Sequence, residues 1–162
     1  MGISRIITLT VLIAALVLGD QISKILLLNM YQANELPIYV TGFFNLVLAL
    51  NRGVSFSFLE SNSAHMPYIL AGVSIFVSLA LFIWMARETK LMIQLGLGFI
   101  ISGAIGNAID RFTHLAVVDF LQFHYNDWYF PAFNVADICI NIGVGLVLLD
   151  VLFMAGHRTD GK

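Results

Sequence analysis

Two aspartates carry the chemistry this chain could do: Asp119 in Val117-Val118-Asp119-Phe120, and Asp137 at the end of Phe133-Asn134-Val135-Ala136-Asp137. Both flank the start of a long apolar segment, where a carboxylate is costly and asks for a purpose. If the two approach, like charges at close range cannot both ionise; one pKa rises and the pair shares a proton. One carboxylate then serves as base toward a water, while its protonated partner donates to a carbonyl under attack. No single helix brings together positions eighteen apart, so the pair can meet only if the stretch from His114 to Pro131 folds back. Two unconnected structural carboxylates fit the spacing equally well.

Other polar residues cluster at spacings that could support such a site. Asp20 and Lys24 are four apart and so neighbours on one helix face, where they could equally be a pair that neutralises itself. Asn51-Arg52-Gly53 offers an amide, a cation and a glycine at a turn, and runs on into Val54-Ser55-Phe56. Asn107 and Arg111 share a face with Asp110 one step round, and Arg111 could brace a carboxylate or bind a lipid phosphate. A structural salt bridge is the alternative for Asp110.

Competing machineries find little support. His65, His114, His124 and His157 are scattered and no His-Glu-x-x-His occurs, which argues against a zinc site. Ser102-Gly103 is preceded by Ile100 rather than the glycine of a nucleophile motif, and neither aspartate follows a Gly-x-Gly. Cys139, the only cysteine, lies in an apolar run and reads as a small buried hydrophobe. The chemistry calls for no metal and no organic cofactor. With a net charge of -2 there is no basic stripe for nucleic acid.

The elements that must position these residues are membrane helices. Of 162 residues 59% are apolar and 11% charged, too much apolar surface for a soluble domain to cover. Four transmembrane segments are expected at about 6–29, 66–86, 91–112 and 134–156, each near the ~20 residues a bilayer requires. Asp20 and Lys24 interrupt the first, which could otherwise be a cleaved signal peptide; its apolar run resumes at Ile25 without a small-residue cleavage site. Arg5, the turn from Arg87 to Lys90, and Arg158 with Lys162 fall on one side, so both termini are expected in the cytoplasm. Lys24, Arg52 and Arg111 fall on the other side, against that bias. Rise per residue puts Asp20 ~20 Å along the first helix and Asp110 ~30 Å along the third, so the polar residues reach one level near the outer interface. Asp150 alone lies well below them, and reads as a helix-end carboxylate.

Between the first two helices, alternating Ile38, Val40, Gly42, Phe44, Leu46, Leu48 and Leu50 predict an outer β-sheet, a cradle over about 37–60 with one apolar face. A plain loop packed on the helices is the alternative. A lid loop is expected over about 113–133, rich in aromatics such as Tyr125, Trp128, Tyr129 and Phe130. Gly98, Ser102 and Gly106, at four-residue spacing, predict the close-packing face of the third helix. The whole is one membrane domain over 1–162.

Taken together, the clusters resemble the lipoprotein signal peptidase, or signal peptidase II, family of bacteria. The likeness runs in order from Asp20 to about Gly143 through Asp20-Gln21-Ile22-Ser23-Lys24, Asn51-Arg52-Gly53-Val54-Ser55-Phe56, Gly103 to Arg111, Val117 to Phe120 and Phe133 to Asp137. The resemblance implies an aspartic endopeptidase of the inner membrane, with Asp119 and Asp137 catalytic. It implies removal of the signal peptide from prolipoproteins, just before the cysteine that carries a diacylglyceryl group. Asp20, Lys24, Asn51, Gly53, Asn107, Asp110, Arg111, Asn134 and Ala136 are then expected to line or support the site. Expected partners are the diacylglyceryl prolipoprotein and membrane lipids, with the enzyme acting as a monomer near the periplasmic face. Two departures stand out: Ser102 where a glycine often precedes Gly-Ala, and Ile138 where a small residue is common. The rival from another class is a small transporter or lipid-binding membrane protein whose charges line a path.

Overall fold

The computed structural model describes residues 2–53 and 65–159, with side chains in the last helix described through Leu152. Val54, Ser55 and Phe56, the 54–60 end of the expected cradle, and the side chains of His157, Arg158 and Lys162 lie outside the described residues. Four helices are long and apolar enough to cross a membrane: α1 (Ile3–Gln32), α2 (Met66–Arg87), α3 (Leu91–His114) and α4 (Val135–Thr159). Each expected span falls within one of them, apart from a residue at the start of the fourth.

α3 is the hub, packing against all three other helices, while α1 also touches α4. Its role follows from its glycines. A Cβ at Gly103 would run into the Ala136 carbonyl of α4, and one at Gly96 would lie 2.8 Å from the Gly143 carbonyl oxygen. The face that meets α4 most tightly is therefore Gly96 against Gly143 and Gly103 against Ala136. Gly98 instead has ordinary contacts with Ile13 and Met85, and Gly106 faces Asp20. The expected row of Gly98, Ser102 and Gly106 is thus a buried face turned toward α1, where a Cβ at Gly106 would also lie 3.3 Å from the Ala136 Cβ; the tightest approach to α4 uses a neighbouring face. Leu9, Ile13, Met85, Ile93, Leu97 and Ile101 fill the apolar core beneath the site.

Polar contacts mark one end of the bundle. Arg5 Nη1 donates to the Thr89 carbonyl at 3.4 Å, and Lys90 pairs with Asp150 at 2.7 Å. Asp150 thus has a specific partner, and joins the start of α3 to α4.

At the other end sits an antiparallel sheet in the order β1-β2-β3-β4, formed by Ile38–Thr41, Phe44–Asn51, Val117–Tyr125 and Trp128–Tyr129. The expected cradle is present as β1 and β2, with the predicted break at Thr41-Gly42. The stretch expected as a lid loop is instead mostly strand. β3 pairs with β2 from Phe44 opposite Phe123 to Asn51 opposite Val117, with a register shift between Leu46 and Ala49. Alternation in Val117 to Tyr125 is masked in sequence because its first four residues are all buried. The predicted apolar face is only partly covered: Leu50 is 52% exposed, whereas Asn45, on the other face, is buried at 2%. After β4 the chain returns, and Phe133 bridges Leu121 with backbone bonds of 2.8 and 3.0 Å.

Candidate active site

β3 holds Asp119 between two neighbours. On one side is the end of β2, where Ala49 lies opposite Asp119 and Asn51 opposite Val117. On the other is Phe133, whose pairing with Leu121 delivers Asn134 to the aspartate. Both neighbours donate: Asn134 Nδ2 to Asp119 Oδ1 at 2.6 Å, and Asn51 Nδ2 to Asp119 Oδ2 at 3.1 Å.

Each amide is oriented by a second bond. Asn51 Oδ1 accepts the Gly53 N–H at 2.9 Å, an Asx turn that leaves the NH2 to face Asp119. Gly53 takes φ +88°, a left-handed conformation suited to glycine, and a Cβ there would lie 2.6 Å from Leu70 Cδ1. Asn134 closes the first turn of α4. Its Oδ1 accepts the Asp137 N–H at 2.9 Å, and its own N–H donates to Asp137 Oδ2 at 3.2 Å, a reciprocal capping box. One asparagine thus caps the helix bearing Asp137 and grips Asp119.

Asn107 completes the link. Its Nδ2 donates to Asp137 Oδ1 at 2.9 Å, while its Oδ1 accepts from Asn134 Nδ2 at 3.2 Å and Lys24 Nζ at 3.3 Å. A cation on the oxygen side fixes which end of the amide faces Asp137.

Below lies a charge cluster. Lys24 bonds Asp20 Oδ2 at 2.8 Å and Asp110 Oδ2 at 2.7 Å, and all three are at most 2% exposed. Buried charges are tolerable only when so paired. Asp20 Oδ1 accepts the Ala136 N–H at 2.8 Å, anchoring the first turn of α4, and Asp110 Oδ2 accepts the Val118 N–H at 3.1 Å, anchoring β3. Gln21, which the sequence reading left unassigned, donates to both Asp20 and Asp110. Its signal was its place one step round from Asp20. Arg111 stands beside the group through Nη1 to the Asn107 carbonyl at 3.2 Å; its Nε is buried without a partner. Arg52 is exposed.

All eleven expected site residues therefore meet in one connected group. Asp119 is 3% exposed, and burial pushes its pKa up from 3.8 to about 6, with the nearby Asp137 charge adding to the rise. The asparagine donors pull the other way. Among the described residues, no three His, Cys, Asp or Glu are placed to hold a metal ion. A buried carboxylate poised beside a second, half-exposed one can hold a proton and accept another, as acid-base attack by water requires.

A family model described as signal peptidase (SPase) II matches residues 12–153. A lipoprotein signal peptidase of Azoarcus sp. (strain BH72) is 42% identical over 151 residues, covering 91% of this chain and 85% of the relative. Another, of Neisseria meningitidis serogroup C (strain 053442), is 40% identical, covering 93% of this chain and 90% of the relative. A solved bacterial membrane enzyme structure, obtained by the in meso method at 2.3 Å resolution, superposes with a TM-score of 0.74. That match covers 99% of this chain and 93% of the other at 24% identity, and shows the shared fold.

Proposed function

The chain belongs to the signal peptidase II family, and from that premise we propose that Asp119 and Asp137 are the dyad with which it removes signal peptides from prolipoproteins. The observation that carries the assignment is Asn134, bonded at once to Asp119 and, through its capping box, to Asp137. Asp119, buried and with its pKa raised to about 6, holds the shared proton. Asp137, held by two donors and more open, takes the proton of the attacking water. Asp119 then donates to the carbonyl oxygen, giving a gem-diol. As it collapses, the proton gained by Asp137 passes to the departing amine and Asp119 takes a diol proton back, which restores the pair.

Asn107, Asn134 and Asn51 orient the carboxylates; the Lys24, Asp20 and Asp110 cluster holds α4 and β3 in place beneath them. Arg111, half-buried beside Asn107, can offer the exposed part of its guanidinium to a substrate oxygen. The substrate is a prolipoprotein whose cysteine bears a diacylglyceryl group, cut just before that residue. A site at the end of a bundle of membrane helices lets acyl chains remain in lipid while water reaches the dyad. The positive-inside bias of Arg5, Arg87 and Lys90 supports a cytoplasmic opposite end, and with it a dyad on the periplasmic side of the inner membrane and both termini inside. We read the enzyme as a monomer, since the eleven residues connect to one another within a single copy of the chain.

The test is to purify the protein in detergent, supply a diacylglyceryl-modified prolipoprotein, and weigh the products. A mature protein starting at the lipidated cysteine is expected. Recovery of intact precursor, or a cut elsewhere, would refute the assignment.

A further inference from the structure

α4 presents one face to lipid that leads straight to the dyad. At ~100° per residue, Asp137, Asn141, Val144, Leu148 and Leu152 recur at intervals of four, three, four and four, and so form one stripe. Asn141, Val144, Leu148 and Leu152 are exposed. The opposite side, with Ala136, Cys139 and Gly143, is buried, and two of its residues meet the α3 glycines Gly103 and Gly96. The stripe starts at a half-exposed catalytic carboxylate and descends ~22 Å into the apolar span.

Its second resident is out of place in lipid. Asn141 lies ~6 Å below Asp137 and donates one Nδ2–H to the Asp137 carbonyl at 2.8 Å. The second N–H and the amide oxygen of this exposed side chain are open to an incoming partner. A polar group on a lipid-facing helix surface is expensive unless another helix meets it there.

We propose that this stripe is the docking face for the apolar helix of the signal peptide, with Asn141 capping its frayed upper end. The inference rests on the peptidase reading above. A signal peptide enters with its basic end inside, so its helix ends near the dyad, and a helix end leaves its last four carbonyls without donors. In hydrocarbon those carbonyls need a protein donor. The unwound residue that carries the scissile bond lies about one turn above that end, at the level of Asp137. Below it, Val144, Leu148 and Leu152 offer the heptad-like seam on which an apolar helix packs.

The test uses wild-type protein and cysteine variants in liposomes, with a set of prolipoproteins that each bear one added cysteine at a different turn of the apolar segment. Mild oxidation should join Val144→Cys and Leu148→Cys to successive turns of the substrate. Phe76→Cys, exposed on α2 at similar depth, should not react. Asn141→Leu should raise KM for the prolipoprotein roughly tenfold, and Asn141→Gln should bring it back to within about twofold. Cross-linking at Phe76→Cys that equals or exceeds that at α4, disulfide-linked pairs of Val144→Cys without substrate, or an unchanged KM in Asn141→Leu would overturn the docking face. Failure of the wild-type protein to cut the prolipoprotein would instead overturn the peptidase reading itself.

Discussion

Replacing Asn134 by alanine removes in one step the donor to Asp119, the bond to Asn107, and the side-chain half of the box that starts α4. Loss of the cap alone should lower stability by about 1 kcal/mol. The loss of cleavage should be far larger, of order 10²-fold or more, because the carboxylates no longer share a geometry; a stability curve and a cleavage rate on one preparation separate the two. A pH prediction follows from Asp119. Its pKa is raised to about 6, so raising the pH through that value strips the proton that Asp119 is proposed to donate. Cleavage should therefore fall on the alkaline side, with an apparent pKa that belongs to the coupled pair. The Asn51 bond lowers the Asp119 pKa, so Asn51→Ala should move that limb to higher pH. Residue types and spacing alone showed the two aspartates and the neighbouring polar groups, but not that they connect. The roles of Asn134 and Ala136 rested on family likeness, and Gln21 was passed over, because hydrogen-bond partners across distant segments leave no local pattern.

At the scale of elements, the contact between α3 and α4 sets the distance at which Asn107 reaches Asp137. Gly103→Val should force its side chain into the Ala136 carbonyl and Ile140, costing about 1–3 kcal/mol and loosening Asp137 from Asn107. Gly98→Ala, which would meet only ordinary contacts, should leave thermal stability within about 0.5 kcal/mol; equal damage from both would contradict the packing described. Helices were legible because long apolar runs have one meaning in a membrane, even where Asp20 and Lys24 interrupt the first. β3 was not: a strand buried at its start reads as another apolar run, and its aromatic end reads as an interfacial loop. That difference bears on the site, since Asp119 is fixed by strand pairing with β2 and does not depend on a closing lid.

For the whole molecule, polar contacts segregate to two ends. The Lys90 to Asp150 pair and the Arg5 bond to Thr89 gather at one, and the proposed dyad with its buried cluster at the other. The distribution of basic residues made this polarity readable, because Lys24 and Arg111 break the topogenic bias and both sit in the candidate site. Tags on the two termini should be cut by protease only in inverted vesicles; digestion in right-side-out spheroplasts would reverse the orientation. Chelators should leave cleavage unchanged, and a loss restored by zinc would count against water activation by carboxylates alone.

The most direct measurement compares wild-type protein with Asp119→Asn and Asp137→Asn, each purified folded, on a diacylglyceryl-modified prolipoprotein. Each single substitution should lower the cleavage rate by roughly 10³-fold or more. Near wild-type cleavage by either variant would contradict a shared dyad.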